Sequence, residues 1–369
     1  MIIENDIQLD FDDVLIAPQT TTINHRGEVD IVRDFKCGLT CVPIMSANMT
    51  QTGVFAVAKE LLKADMCATL HKFYTAQEIA DFINKNKDLL FEKYENLFIT
   101  VGKRNWEKEI KKLVEVIKLT QRPCFSILLD VPNAYIPEIT DCVKELRTRF
   151  PDQIIAVGNV CTGDEVQKLI LAGANFVKVG IGPSKVCDTR IKTKCGRSQL
   201  SACIDCANAA HQVGGGIILD GGFKTIGDFC AAFVAGADIC MSGSMFCGCD
   251  EAHGEVITKC YKTNEYELET FMVGYEQCDM PCKPVYEYKK FKEYYGMSSF
   301  RAQKENYGKT TTTGTSEGVE SMLVPYTGPI INTINDICGS LRSCGSYIGA
   351  KKIKHFNRQG KFYRVNRIK

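Results

Sequence analysis

Short apolar runs alternate with longer amphipathic segments along most of this sequence, and no other feature narrows the possible folds as much. The apolar runs predict eight strands, at Pro43–Asn48, Cys67–Lys72, Leu97–Val101, Cys124–Val131, Ile154–Val160, Phe176–Ile181, Gly216–Asp220 and Ile239–Ser242. The segments between them predict helices, at Val54–Lys63, Thr75–Asn84, Asn105–Leu119, Ile136–Phe150, Gly163–Ala172, Gln199–Val213, Thr225–Ala235 and, after a long interruption (Phe246–Ser321), Ile330–Ser343. Nearly continuous apolar strands are typical of a parallel sheet covered by helices. Eight strands in strict alternation therefore predict an α/β fold of the (β/α)8 TIM-barrel type rather than a doubly wound sheet.

The composition argues against several classes of partner. Lysine plus arginine (45) and aspartate plus glutamate (44) nearly cancel, and no long basic run precedes the tail Lys351–Lys369, so nucleic acid is not an expected partner. No apolar stretch approaches the roughly 18 residues that a membrane-spanning helix needs, and the first residues lack the pattern of a signal peptide. With 19 cysteines and no such signal, the chain is expected to keep reduced thiols in the cytoplasm.

Polar residues and glycines gather at the ends of the predicted strands, at Asn48, Lys72, Asp130, Asn159, Gly180, Asp220–Gly222 and Gly243. In a barrel these ends meet at one mouth, where the chemistry of such folds lies. Asp220–Gly222 follows the seventh strand and Ser242–Ser244 the eighth, positions whose glycine amides commonly bind phosphate. We therefore expect a phosphorylated small molecule, with Asp220 accepting hydrogen bonds from sugar hydroxyls. The alternative is that both glycine pairs only close turns.

One cysteine stands out by its position. Cys187 follows the sixth strand in the sequence Gly-Ile-Gly-Pro-Ser-Lys-Val-Cys, where glycine and proline allow a sharp bend and a close approach to a ligand. The cations Lys178, Lys185 and Arg190 are near it in sequence and favour a reactive thiolate. A nucleophilic role is one interpretation, and packing as a small apolar residue is the other.

Together these motifs resemble the IMP dehydrogenase/GMP reductase family of barrels. The resemblance runs over nearly the whole chain, at Leu9–Pro18, Val42–Met49, His71 and Lys72, Ala156–Val160, Lys178–Arg190, Asp220–Gly222, Tyr295–Ser299, Ser316–Gly318 and Leu341–Ser343. It implies a single barrel domain over residues 1–369, with an N-terminal arm over 1–40. It also implies an insertion in the eighth unit at about 258–293 and an active-site flap at about 300–325.

Four features resemble the reductase branch of the family. There is no room before Asp130 for the paired regulatory (CBS) domains that most of the dehydrogenases carry. The N-terminal arm, the turn at Ala47–Met49 and the short flap also match the reductases. The dehydrogenase flap has an adjacent Arg-Tyr pair, whereas Arg301 and Tyr307 are separated here. The stretch Glu317–Ser321, by contrast, also resembles some dehydrogenases.

The resemblance implies an oxidoreductase that uses NADPH to convert GMP to IMP and ammonia through a covalent adduct between Cys187 and the purine. Thr189 and Glu317 match the residues that carry a proton to the departing amine. Two alternatives stay open: an IMP dehydrogenase working in the opposite redox direction, and a purine-nucleotide-binding barrel without turnover.

The binding residues follow from the resemblance alone. The substrate-binding positions are Asp220, Gly221, Gly222, Gly243, Ser244, Met297, Ser298, Ser299, Ser316 and Gly318. The cofactor-binding positions are Arg26, Lys72, Asp130, Val131, Ile181, Gly182 and Ser343. Arg26 is expected to reach a neighbouring subunit, which implies a homotetramer. Carbonyl groups at Gly182, Ser184, Cys187 and Arg190 match a monovalent-cation site, which implies K⁺.

Three features depart from the family pattern. Lys185 stands where the family has a phosphate-binding serine, although a lysine also binds phosphate as a point charge. Gly314 replaces an arginine of the flap. The insertion contains Cys260, Cys278 and Cys282, for which a zinc site is a weaker interpretation than a surface insertion or a subunit contact.

Overall fold

The computed structural model describes residues 3–121, 125–273, 276–308 and 316–366, with side chains described outside 268–282. The strands are β1 (Val14–Ile16), β2 (Arg33–Asp34), β3 (Thr40–Ser46), β4 (Met66–Leu70), β5 (Leu97–Val101), β6 (Ser126–Asp130), β7 (Ile155–Val160), β8 (Phe176–Val179), β9 (Gly216–Asp220), β10 (Ile239–Ser242), β11 (Val256–Val273), β12 (Glu276–Tyr294), β13 (Met322–Pro325) and β14 (Phe362–Arg364). The α-helices are α1 (Phe55–Lys63), α2 (Ala76–Lys85), α3 (Lys87–Leu90), α4 (Trp106–Thr120), α5 (Pro137–Arg149), α6 (Gly163–Leu171), α7 (Thr189–Thr193), α8 (Gln199–Gln212), α9 (Gly227–Ala235), α10 (Phe300–Tyr307), α11 (Ile330–Ile348) and α12 (Phe356–Gln359).

Strands β3 to β10 form a closed parallel barrel. Each pairs in parallel with the next, and β10 returns to pair with β3, with Met241 opposite Met45. This closure confirms the predicted TIM barrel. Side chains on the inner face form a buried cluster that includes Phe98, Leu128 and Phe176, so the barrel interior is a packed core. The functional groups are therefore left to the loops at its two ends.

The predicted strands and helices recur in the structure with small shifts in their ends. Helix α2 begins after Thr75, whose hydroxyl accepts the amide of Glu78 while the Glu78 carboxylate accepts the amide of Thr75. Strand β8 ends at Val179, two residues before the predicted end, because Gly180 takes a φ of 150°. Cys124, the predicted start of the fourth strand, lies outside the described residues.

The eighth unit contains structure that the sequence did not predict. Strands β11 and β12 pair as a long antiparallel ribbon, and β13 adds to its base, where Phe291 pairs with Pro325. The register also contradicts the zinc interpretation. Cys278 pairs with Phe271, which lies 11 residues along β11 from Cys260. At roughly 3.3 Å per residue, about 36 Å of strand separates these two cysteines.

The N-terminal arm and the C-terminal segment of the chain pair with each other. Strand β14 pairs with β1 in antiparallel orientation, so the C-terminal segment returns to the N-terminal arm. Helix α11 continues beyond the predicted Ser343 and ends before Gly349, whose φ of 73° favours glycine. Among the described residues, every helix is too short or too polar to cross a bilayer.

Candidate active site

A cavity opens at the carboxyl ends of the barrel strands, as expected for this fold. It is lined by most of the residues predicted from the sequence: Asp130, Val131, Ile181, Gly182, Ser184, Cys187, Thr189, Asp220, Gly221, Gly222, Gly243, Ser244, Met297, Ser298, Glu317 and Gly318. Lys185, the departure from the family pattern, also lines it. Six predicted residues are not among its lining: Arg26, Lys72, Arg190, Ser299, Ser316 and Ser343.

The cysteine loop leaves β8 through a tight passage. A side chain at Gly180 would place its Cβ 2.5 Å from the carbonyl oxygen of Asp220, so only glycine fits there. The loop then turns back on itself, and the amide of Cys187 donates to the carbonyl of Ser184 over 3.0 Å. As a result the half-buried Cys187 thiol is held at the edge of the cavity.

The flap completes this part of the site by pairing its backbone with the cysteine loop. The amide of Asp188 donates to the carbonyl of Glu317 (2.7 Å), and the amide of Val319 donates to the carbonyl of Val186 (3.1 Å). Gly318 lies between these contacts, where an added Cβ would stand 2.5 Å from the amide nitrogen of Ser299. These contacts fix the position of the Glu317 side chain relative to the cysteine.

Three side chains form a short chain of hydrogen bonds. The sulfur of Cys187 lies 3.2 Å from the hydroxyl oxygen of Thr189, and that hydroxyl donates to Oε2 of Glu317 over 2.7 Å. A hydroxyl has one proton, and here it is directed at the carboxylate. The lone pairs of Thr189 are therefore free to accept the thiol proton of Cys187. The arrangement can move a proton from sulfur to carboxylate and back.

Lys178 links two carboxylates of the mouth. Its ammonium nitrogen is 2.8 Å from Oδ1 of Asp130 and 2.9 Å from Oδ2 of Asp220, and its side chain is only 4% exposed. Burial by itself lowers the pKa of Lys178, but the two carboxylates outweigh it and raise that pKa. Burial likewise opposes ionisation of Asp130, and Lys178 together with Lys72 nevertheless holds its pKa below the ordinary value. Lys178 thus binds acids rather than facing the cysteine.

Among the described residues, Oδ1 of Asp220 has no hydrogen-bond partner and is available to a ligand. Both of its recorded partners, Lys178 at 2.9 Å and Asn159 at 2.8 Å, contact Oδ2. Asn159 also donates to the carbonyl of Gly180 over 2.7 Å, which ties β7 to the start of the cysteine loop. The sequence identified Asn159 only as a polar strand end, and its bridging role depends on a neighbouring strand that no local pattern reveals.

The glycine turns after β9 and β10 contain both amides that bond within the protein and amides that do not. Gly221 and Gly222 have φ values of 78° and 90°, but the amide of Gly221 donates to the carbonyl of Met241 (3.0 Å). Within the described part of the chain, the amides of Gly222, Gly243 and Ser244 have no protein acceptor. The Ser244 hydroxyl donates to the carbonyl of Phe223 (3.3 Å). These three amides are the candidates for contacting phosphate.

Two predicted substrate residues support the flap instead of lining the cavity. The Ser299 hydroxyl accepts the amide of Ala302 (3.1 Å) and caps α10. The Ser316 hydroxyl donates to the carbonyl of Gly318 (2.9 Å). Their neighbours Met297 and Ser298 do line the cavity. The flap arginine position, Gly314, lies outside the described residues.

The residues predicted for the cofactor fall into two groups. Val131, Ile181 and Gly182 line the cavity beside Cys187, and the Lys72 ammonium lies 4.0 Å from Asp130. Arg26 and Ser343 lie elsewhere, on a short 3-10 turn (Arg26–Glu28) and on α11, and a single chain does not bring them to the mouth.

The predicted cation loop is partly occupied by internal contacts. The Arg190 side chain donates to the carbonyl of Ile181 over 2.8 Å and also to the carbonyl of Arg197. The carbonyl of Ser184 already accepts the amide of Cys187. A cation at Gly182, Ser184, Cys187 and Arg190 therefore stays a prediction.

His71, beside Lys72, has a structural environment. Its ring stacks on Tyr74 with centroids 3.9 Å apart. Burial lowers the pKa of His71 to about 4, so the ring is neutral near pH 7. It contributes to packing under the mouth and adds no charge there.

Comparisons with the sequences of known proteins show which family the chain belongs to. The IMP dehydrogenase / GMP reductase domain model matches residues 8–279 and 275–368. A GMP reductase of Photobacterium profundum is 38% identical over 370 residues, covering 99% of this chain and 97% of the relative. GMP reductase 2 of Homo sapiens is 39% identical over 369 residues, covering 98% of this chain and 96% of the relative. With its barrel, its cysteine loop and its flap, this chain belongs to the IMP dehydrogenase/GMP reductase family.

Proposed function

We propose that this protein is a GMP reductase, an enzyme that converts GMP to IMP and ammonia with NADPH as the reductant. One observation carries the proposal: the continuous hydrogen-bond chain from Cys187 through Thr189 to Glu317, at the edge of the cavity that the glycine turns and Asp220 also line. The relatives named GMP reductase, at 38% and 39% identity over nearly the full chain, support the same activity.

The first step is attack by sulfur on C2 of the purine. As the C–S bond forms, the thiol proton passes to the Thr189 oxygen and the Thr189 proton passes to Glu317, along contacts of 3.2 Å and 2.7 Å. The electron pair of the attacked C=N bond moves onto the ring nitrogen. Thr189 serves as a relay, because its own hydroxyl is too weak an acid to supply a net proton.

The second step returns the proton. Glu317 gives it back through Thr189 to the amino group on C2, the C–N bond breaks and ammonia leaves, while Cys187 stays bonded to the ring. When bound beside Cys187, the nicotinamide cofactor supplies the hydride that C2 needs. Departure of the sulfur with its bonding electrons then leaves IMP and a Cys187 thiolate, which takes up one proton from solvent to restore the starting thiol. Val131, Ile181 and Gly182 would hold the cofactor ring.

The rest of the mouth would hold the nucleotide still. The free Oδ1 of Asp220 can accept a ribose hydroxyl, while Lys178 and Asn159 hold the other oxygen. The three candidate amides of the glycine turns, with the exposed Lys185, would contact the phosphate. Holding the reactants in this way converts attack at C2 into an intramolecular step.

Further properties belong to the same proposal. The chain would act as a homotetramer, because Arg26 and Ser343 can contact the cofactor only from a neighbouring subunit. It would work in the cytoplasm. It would form one domain over residues 1–369 and use K⁺ at the cysteine loop. Its ligands would be GMP and IMP.

The decisive experiment compares both redox directions. Purified protein is incubated with GMP and NADPH, and separately with IMP and NAD, while the absorbance of the reduced nicotinamide is followed. We expect consumption with GMP and no sustained formation with IMP. Sustained formation of NADH would identify an IMP dehydrogenase. Absence of both, with GMP binding intact by calorimetry, would identify a binding protein without turnover.

A matched pair of variants tests the relay. Thr189→Ser keeps the hydroxyl and Thr189→Val keeps the shape, so only the valine variant should lose about 10²–10⁴-fold in rate. Equal losses in both variants, or in neither, would contradict the relay.

A further inference from the structure

A second cavity, of about 560 Å³, opens at the opposite end of the barrel from the mouth. We call it the basal cavity. It lies between the segment Arg33–Cys37 before β3, the turn Gly214–Gly216 before β9, and the end of α12 near Arg358. Its volume is in the range of small-molecule sites. None of the residues assigned to the proposed reaction lines it.

On the floor of the basal cavity, the negative charge of Asp238 is balanced by neighbouring groups. Asp238 has a side chain only 3% exposed, and it forms an ion pair with Arg33 and a hydrogen bond of 2.9 Å with Nε2 of His211. The same carboxylate accepts the amide of Ile217 over 2.8 Å. Because these donors already bind Asp238, its charge does not repel an anion that enters above it.

The rim has cations without carboxylate partners. Lys36, Lys354 and Arg358 line the cavity and are exposed. Within the parts of the chain that the structure describes, no carboxylate lies within ion-pair distance of any of the three. The other acid of the rim, Asp34, accepts the hydroxyl of Thr40 over 2.9 Å. The rim therefore presents net positive charge from two segments that are more than 300 positions apart in sequence.

The glycine turn keeps the entrance open. The amides of Gly214, Gly215 and Gly216 all donate to backbone carbonyls, so they are not ligand donors. A Cβ at Gly214 would meet nothing within 4 Å, and its φ of 80° favours glycine. The turn thus contributes space, and the rim cations contribute the binding groups.

We propose that the basal cavity binds a small phosphate-bearing anion, held by Lys36, Lys354 and Arg358. The fork of an arginine matches two phosphate oxygens, and lysines add point charges. A concave site of this volume accommodates a phosphorylated metabolite up to the size of a mononucleotide. The site is separate from the glycine turns of the mouth, and it goes beyond the proposed reaction.

The test measures binding of pyrophosphate by isothermal titration calorimetry at low salt. The wild-type chain is compared with Lys354→Gln/Arg358→Gln and with Lys36→Gln, which act from the two separate segments. Lys361→Gln is the control for Lys36→Gln, and Lys351→Gln/Lys361→Gln is the control for the double variant, because each removes the same number of charges from outside the cavity. We expect saturable binding with a dissociation constant below about 1 mM, weakened at least about tenfold in both cavity variants and unchanged in the controls.

A second titration, with GMP present to fill the mouth, separates the two ends of the barrel. The proposal expects pyrophosphate binding to persist. It is overturned if wild type shows no saturable binding, if the cavity variants bind as well as their controls, or if GMP abolishes the binding. The comparison among variants does not depend on GMP reductase activity, so failure of one proposal is distinguishable from failure of the other.

Discussion

Replacing Lys178 by methionine should destabilise this protein more than any surface lysine substitution. Lys178 lies 2.8 Å from Asp130 and 2.9 Å from Asp220, and methionine would fill much of the same space without the charge. Removing one partner of a buried ion pair costs about 3–5 kcal/mol, because the remaining charge is left uncompensated. The two carboxylates stay 21% and 22% exposed, so water recovers part of that cost. We therefore expect a loss of about 3 kcal/mol in the free energy of unfolding.

The chain offers a control with the same contact distance on its surface. Lys168 lies 3.0 Å from Glu165, with 45% of its side chain exposed. A solvent-exposed pair of this kind contributes about 1 kcal/mol or less. Denaturant unfolding of Lys178→Met and Lys168→Met should therefore give clearly different midpoints, although each substitution removes one ion-paired lysine.

Removing a carboxylate should partly rescue the lysine variant. In Lys178→Met/Asp130→Asn, one of the two uncompensated charges is gone. The double variant should be more stable than the sum of the two single losses predicts, by about 1–3 kcal/mol. If the losses simply add, or if Lys178→Met costs no more than Lys168→Met, the ion-pair network does not stabilise the mouth and the reasoning is refuted.

The sign of the pH dependence of the free energy of unfolding follows from the lowered pKa of Asp130. The pKa of Asp130 is lowered in the folded protein, so its contribution is complete above the unfolded pKa, near 4, and is lost as the pH falls through the folded value. Without Lys178 that favourable contribution is absent, and burial favours the protonated acid. The stability difference between wild type and Lys178→Met should therefore be largest near pH 7 and shrink as the pH falls, first through the higher folded pKa of Asp130 in the variant and then through its lowered folded pKa in wild type.

Further outcomes follow from the site. Cys187→Ser should abolish turnover and leave GMP affinity within about tenfold by calorimetry, since phosphate and ribose contacts hold the substrate; full activity would end the covalent mechanism. Glu317→Gln should slow GMP reduction by about 10²–10⁴-fold and should also slow the single-turnover formation of NADPH from IMP and NADP, because both reactions begin by passing the thiol proton of Cys187 to Glu317; an unchanged reverse half-reaction would contradict the role of Glu317 in activating the thiol. Gly318→Ala should lower activity without lowering the thermal midpoint of the barrel, because a Cβ 2.5 Å from the Ser299 amide displaces only the flap; unchanged activity would show that the flap contacts are dispensable. Light scattering should give a tetramer, and Arg26→Ala should raise the KM for NADPH; a fully active monomer would contradict the subunit contact.

The barrel was predictable because its signal is local and repeated. Each strand is an apolar run, and the helices show buried residues at helical spacing, such as Val57, Leu61 and Leu62 of α1. The ribbon β11–β12 was not predictable in the same way. Its described side chains, at 256–267 and 283–294, are mostly exposed, with Tyr288 70% exposed and Tyr286 50% exposed, so they do not show the apolar alternation that identifies a half-buried strand.

The site was predictable to the extent that it depends on strand ends. Asp220 ends β9, the glycine turns follow β9 and β10, and Cys187 lies in the loop after β8, so closure of the barrel brings them to one mouth. Residues of the flap are different, because Ser299 and Ser316 are close to the site in sequence and yet turn their hydroxyl groups to the flap backbone. Which way such a hydroxyl points depends on contacts made only after the flap docks.

Lys178 illustrates the limit of reasoning from sequence proximity. Its position nine residues before Cys187 suggested a cation that activates the thiol, but successive residues of a strand face opposite sides of the sheet. Lys178 lies on β8, and its ammonium group meets acids from β6 and β9. Activation of Cys187 then depends on the proton acceptor that Thr189 and Glu317 provide. These two residues are 128 positions apart in sequence, and backbone pairing of the flap brings them together. Because the same backbone contacts hold the flap and the cysteine loop together, they also hold the proton acceptor within reach of the thiol.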